Sequence, residues 1–162
     1  MSLDLEALAH RVGERLRQRG ARLATAESCT GGWVAKEVTG IAGSSVWFDR
    51  GFVTYSDAAK QEQLGVQEQT LQAHGAVSEA TVREMAAGAL AHSRADISLS
   101  ISGIAGPGGG TPEKPVGLVY FGWAERAGET RAGQQRFGGD RDAVRAQAVA
   151  YALQGVLDLL GD

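Results

Sequence analysis

Few side chains in this sequence could act as a nucleophile, a base or a charge clamp, and they gather in a few short segments. Ser28 stands in Ala26-Glu27-Ser28-Cys29-Thr30-Gly31-Gly32, after a short strand-like stretch and before a glycine pair. A strand, a tight turn and a helix start in that order would expose its hydroxyl. They would also aim backbone N–H groups at the spot where an oxyanion could form. An ordinary helix N-cap explains the same serine. Cys29 is the rival nucleophile, but a lone cysteine more often behaves as a small buried apolar residue.

A serine needs a base. His10, His74 and His92 fall on expected helices or helix ends, and none lies in a glycine loop, so a Ser-His-Asp triad is not indicated. The lysines are Lys36, Lys60 and Lys114. Lys36 should point to solvent from the helix after Ser28, and Lys114 sits in a Pro-rich loop. Lys60 follows a strand end at the start of a helix, where desolvation and the helix N-terminus would lower its pKa. Tyr55 is near enough in sequence to orient it or relay a proton. A solvated helix lysine is the alternative reading of Lys60. Ser56, four residues before Lys60, is a second-choice nucleophile that capping also explains. Arg141 and Arg145 lie one turn apart near Gly138-Gly139. They read either as an anion site for a phosphate or carboxylate, or as a surface ion-pair face.

Other chemistries find little support. No His/Cys/Asp/Glu set has metal-ligand spacing. The loop Gly103 to Gly110 lacks the dinucleotide-binding spacing, and no P-loop is present, so a dehydrogenase reading is remote. Tyr55 and Lys60 are one residue too far apart for the dehydrogenase Tyr-x-x-x-Lys pair. The net charge of -3 argues against a nucleic-acid partner. No apolar run reaches membrane-spanning length, so no membrane partner is expected. Ser2 to Arg17 mixes acids, bases and leucines and does not read as a signal peptide. The one cysteine fits a reducing, cytoplasmic setting.

The elements that must position these residues follow from periodicity. Helical spacing runs from Leu3 to Arg19, closed by Gly20. Strands are expected at Arg22 to Ala26, at Val46 to Tyr55 with Gly51 as a bulge or bend, and at Ile97 to Ile101, where apolar residues alternate with serines. Val116 to Trp123 should be a central strand buried on both faces, and Thr130 to Phe137 an edge strand. Further helices are expected at Thr30 to Val38, after Ser56 or Asp57, after Ser78 and after Asp140. The mixture predicts an α/β fold with a partly antiparallel sheet covered by helices. The 162 residues fit one domain, 1–162.

Three segments together resemble the CinA C-terminal domain family, the nicotinamide-nucleotide amidases or NMN deamidases. They are the Ser28 segment, Ser102-Gly103-Ile104-Ala105-Gly106-Pro107-Gly108-Gly109, and Gly139-Asp140-Arg141-Asp142-Ala143-Val144-Arg145. The likeness spans about Leu5 to Leu160, with Ser102 where the family pattern expects threonine. It implies a single-domain α/β/α sandwich that hydrolyses the carboxamide of nicotinamide mononucleotide (NMN), giving nicotinate mononucleotide and ammonia in pyridine nucleotide salvage. It also implies Ser28 as nucleophile, Lys60 as base, Tyr55 in support, and no metal or cofactor. Thr30, Gly31, Gly32, Ser102, Gly103, Gly106, Arg141 and Arg145 are the expected substrate-binding residues. Arg145, with Arg141, would hold the 5′-phosphate. A non-catalytic nucleotide-binding or interaction module of the same type is the alternative. A homo-oligomer is left open.

Overall fold

The computed structural model describes residues 4–161. The expected helix start at Leu3 lies outside the described residues. Helix α1 (Leu5–Arg19) leads to strand β1 (Leu23–Glu27), helix α2 (Trp33–Thr39), a 3₁₀ turn and strand β2 (Phe48–Val53). Helices α3 (Asp57–Leu64), α4 (Glu68–His74) and α5 (Glu79–Ala91) follow, then strands β3 (Ile97–Gly103), β4 (Leu118–Glu125) and β5 (Thr130–Arg136), and helix α6 (Arg141–Leu159).

Local chemistry sets the ends of the longer helices. Asp4, Ser56, Ser78 and Asp140 each cap the helix that follows, accepting an N–H three residues on at 2.9–3.2 Å. Gly20 and Gly65 close α1 and α3 in the left-handed conformation. Helix α4 was not anticipated from periodicity. It buries only Leu71, so no apolar stripe marks it.

The sheet has the order β2-β1-β3-β4-β5. β1 pairs in parallel with β2 and β3, while β3–β4 and β4–β5 are antiparallel. The central strand is therefore β3. β4 lies one in from the edge and starts at Leu118 rather than Val116, because Gly117 turns the chain with φ 93°. The expected bulge at Gly51 is displaced. Leu23 pairs with Phe48 and Ala24 with Arg50, so Asp49 is the extra residue. Gly51 serves close approach instead: a Cβ there would sit 2.7 Å from Thr25 Oγ1.

Two cores flank the sheet, completing an α/β/α sandwich. On one face α1, α2 and α6 bury Leu16, Val34, Val149 and Leu153 against Ile97, Leu99, Ile101 and Phe121. On the other, α3, α4 and α5 meet small strand residues such as Ala24, Ala26 and Ala124. The serines of β3 face this second layer. Ser98 and Ser100 donate to the α5 carbonyls of Ala86 and Val82 at 2.7 and 2.6 Å. Gly88 lets α5 meet the end of α3, since a Cβ there would lie 1.9 Å from the Leu64 carbonyl oxygen. Because β1, β2 and β3 run in parallel, their C-terminal ends open on one edge. That edge is where α/β sheets place ligands.

Candidate active site

β1 runs directly into Ser28. The Ser28 N–H donates to the Ile101 carbonyl at 2.9 Å, extending the parallel ladder by one residue. The chain then turns, with Gly31 N donating to the Ser28 carbonyl at 3.0 Å. Gly31 and Gly32 have φ of 59° and 100°, a left-handed pair that residues with side chains adopt only at a cost. The turn is pinned from inside by Glu27, which is 1% exposed. Its carboxylate accepts the Thr30 hydroxyl at 2.6 Å and the amides of Val34 and Ala35 at 3.0 and 3.1 Å. Glu27 thereby supplies the cap that α2 lacks from its own N-cap residue, Gly32.

Lys60 reaches Ser28 from α3. It is 1% exposed, and its Nζ lies 2.9 Å from Ser28 Oγ and donates to the Thr54 carbonyl at 2.7 Å. Burial lowers its pKa, opposed chiefly by the negative charge of Asp57. A neutral amine has two N–H bonds and one lone pair. With an N–H fixed on Thr54, a carbonyl that can only accept, the lone pair is free to receive the Ser28 hydroxyl proton. In the structure Nζ donates to Ser28 Oγ at 2.9 Å, and in the neutral amine the same contact reverses to O–H···N. Burial pushes the neighbouring Cys29 thiol up to about 11, which leaves it protonated and a poor nucleophile.

The pair opens into a cleft of about 250 Å³ that is also lined by Tyr55, Asp57, Ala76, Val77, Ser102, Gly103, Ala105 and Arg141. Arg141 Nη1 donates to the Gly106 carbonyl at 2.7 Å and Nη2 to the Tyr55 hydroxyl at 3.2 Å. Past Ala105 and Arg141 lies a wider depression of about 630 Å³, walled by Pro107, Val116 and Gly139 to Asp142.

This arrangement sits in a chain that matches the CinA C-terminal domain over residues 5–160. It belongs to that family. The nicotinamide-nucleotide amidohydrolase PncC of Escherichia coli strain K12 is 62% identical over 151 residues, covering 93% of this chain and 92% of the relative. The PncC of Pseudomonas putida is 48% identical over 155 residues, 96% of each chain. The crystal structure of the competence/damage inducible protein CihA from Agrobacterium tumefaciens superposes with a TM-score of 0.94 at 46% identity, over the full length of both chains.

Within this CinA domain the anticipated residues divide. Ser28, Lys60, Tyr55, Ser102, Gly103 and Arg141 line one cleft. Gly106 contributes its carbonyl to Arg141. Thr30, Gly31, Gly32 and Arg145 do not line that cleft. They border a separate groove with Trp33 and Lys36. The Thr30 side chain is buried on Glu27. Arg145 is drawn inward: Nε donates to the Cys29 carbonyl at 3.0 Å and Nη2 to the Thr30 carbonyl at 3.3 Å, with its guanidinium over the Trp33 ring. The two arginines therefore do not meet over one anion. Tyr55 is 64% exposed and bonds Arg141, not Ser28 or Lys60, so the relay role expected of it has no direct contact here.

One further expectation changes. In the first turn of α2 the amides of Val34 and Ala35 are taken by Glu27 and that of Trp33 by the Thr30 carbonyl, so they cannot serve an oxyanion. The amides of Cys29 and Thr30 donate to no other backbone carbonyl among the described residues. Burial lowers the pKa of Lys60, in the expected direction. Ser56 is occupied as the cap of α3. Sequence reasoning passed over Glu27, the Thr54 carbonyl and Asp57. An acid directly before the nucleophile and a glycine pair after it was the one visible sign of the first. Among the described residues, no helix is long and apolar enough to cross a membrane, and no group of three or more His, Cys, Asp or Glu could hold a metal ion.

Proposed function

We propose that this chain is a cytoplasmic nicotinamide-nucleotide amidase of pyridine nucleotide salvage, using Ser28 as nucleophile and Lys60 as base. The buried Ser28–Lys60–Thr54 contact set carries the reading. Ser28 Oγ attacks the carboxamide carbon of NMN as its proton passes to Lys60 Nζ. The Oγ–C bond forms and the carbonyl becomes an oxyanion, for which the Cys29 and Thr30 amides are the candidate donors. Lys60 then returns the proton to the amide nitrogen, the C–N bond breaks, and ammonia leaves. Water attacks the acyl-serine and gives a proton to Lys60, which returns it to Ser28 Oγ as the acyl C–O bond breaks and nicotinate mononucleotide leaves. Arg141 takes the 5′-phosphate, and the ribose spans the cleft between Ser28 and Arg141. The PncC names of close relatives support the same substrate.

The test is ammonia release from NMN, nicotinamide and NAD by purified protein without added metal. Release from NMN well above the other two is expected. Folded protein that binds NMN in calorimetry but releases no ammonia would instead favour a non-catalytic binding module.

A further inference from the structure

The cleft beside Ser28 holds one charge with no part in the steps above. Asp57 lines it from the first turn of α3. The basic side chains of the site are otherwise engaged: Lys60 with Ser28 and Thr54, Arg141 with Gly106 and Tyr55. Neither forms an ion pair with Asp57 among the described residues. The cleft therefore presents a carboxylate and a guanidinium that are not paired with each other around one nucleophile.

The chemistry of the proposed substrate gives that polarity a meaning. A nicotinamide ring joined to ribose through its ring nitrogen is a pyridinium cation. That nitrogen lies two ring bonds from the carbon bearing the carboxamide. An amide carbon placed on Ser28 Oγ therefore brings the ring's positive charge into the same cleft, where burial already disfavours charge on Lys60. Asp57, itself exposed, is the carboxylate among the cleft's lining residues that can answer that charge.

Building on the amidase reading, we propose that Asp57 is a specificity-determining residue that recognises the cationic ring. With Arg141 on the anionic end, the site then selects zwitterionic N-ribosylpyridinium amides over amides on neutral rings. Asp57 does not touch the reacting bond. Its effect on substrate binding follows the charge of the ring.

The probe pair is NMN and its reduced dihydropyridine form, which keeps the carboxamide, ribose and phosphate but loses the ring charge. Both are titrated by calorimetry at low salt into Ser28→Ala protein, with and without Asp57→Asn. The reduced nucleotide is also the control that the second variant remains folded. Asp57→Asn is expected to weaken NMN about fivefold while the reduced form changes less than about twofold. An equal loss for both, the mark of a merely structural role in α3, overturns the proposal, as does unchanged NMN affinity. Ammonia release from NMN by the wild-type protein is measured in parallel. Its absence, with neither nucleotide bound, overturns the amidase reading and this one together. Turnover with no dependence on ring charge overturns only this one.

Discussion

Two depressions flank the turn from Ser28 to Gly32, and each carries an arginine from α6. On one side Arg141 shares a cleft with Ser28, Lys60 and Asp57. On the other, Arg145 shares a groove with Lys36, Trp33 and the glycine pair. The residues are one helical turn apart, yet their work differs. Arg145 holds two consecutive turn carbonyls, including that of Cys29, beside the nucleophile. Arg141 holds a loop carbonyl and an exposed phenol on the wall of the cleft. A basic residue beside a glycine turn is thus as readily a brace for the turn as a hand for a ligand. What separates the two roles is how its N–H groups are engaged.

Substitutions on the two sides should separate sharply. The largest effect is expected from Lys60→Met, which removes the proposed base and should cut kcat by about a thousandfold. The same variant should melt about 2–4 °C higher, because a methionine does not oppose burial as an amine does. Steady-state ammonia assays and thermal melts check the two halves.

Arg141→Ala should raise the KM for NMN about tenfold with a smaller change in kcat, since the lost contact holds substrate in ground and transition states alike. Arg145→Ala should do the reverse. It should lower kcat by about fivefold to tenfold and also the melting temperature, while KM moves little, because the fault lies in the Ser28 turn. Arg145→Lys should not rescue it, since an ammonium cannot reproduce two guanidinium bonds and a ring contact. If both alanine variants change KM alike, the distinction between the two depressions is lost.

A smaller effect concerns pH. Lys60 must be neutral to act as a base, so kcat/KM should rise with pH through its pKa. Burial places that limb below the ordinary lysine value of 10.5. Asp57 opposes the shift, so Asp57→Asn should move the limb to still lower pH. Stability follows the same sign. Between the folded pKa of Lys60 and the ordinary value, the unfolded chain binds more protons. The Lys60 contribution to stability is therefore complete above the unfolded pKa and declines as pH falls toward the folded one. Rate profiles and melts across pH, for wild type and both variants, test this.

The sequence made some of these features legible and concealed others. The Ser28 turn was readable because it is local: a strand, an acid, a serine and a glycine pair lie in one run. The caps at Ser56, Ser78 and Asp140 were readable for the same reason. Lys60 was singled out by elimination among three lysines, but its burial depends on α3 meeting α5, where Gly88 faces the Leu64 carbonyl. Nothing near Lys60 announces that contact. The spacing of Arg141 and Arg145 correctly suggested a shared helical face. It did not say that one long side chain would turn toward Cys29 and the other toward Gly106. The alternation of β3 identified a strand, but not that its serines would bond to α5 carbonyls. Glu27 was hidden because its role exists only once α2 stands above it.

The most direct test of the central claim is ammonia release from NMN by the Ser28→Ala protein, with folding checked by its melting curve. A fall of at least about a thousandfold in kcat, with NMN still bound, is the predicted result. Release within about tenfold of wild type would show that the amide is cleaved without the Ser28 hydroxyl, and would contradict the account.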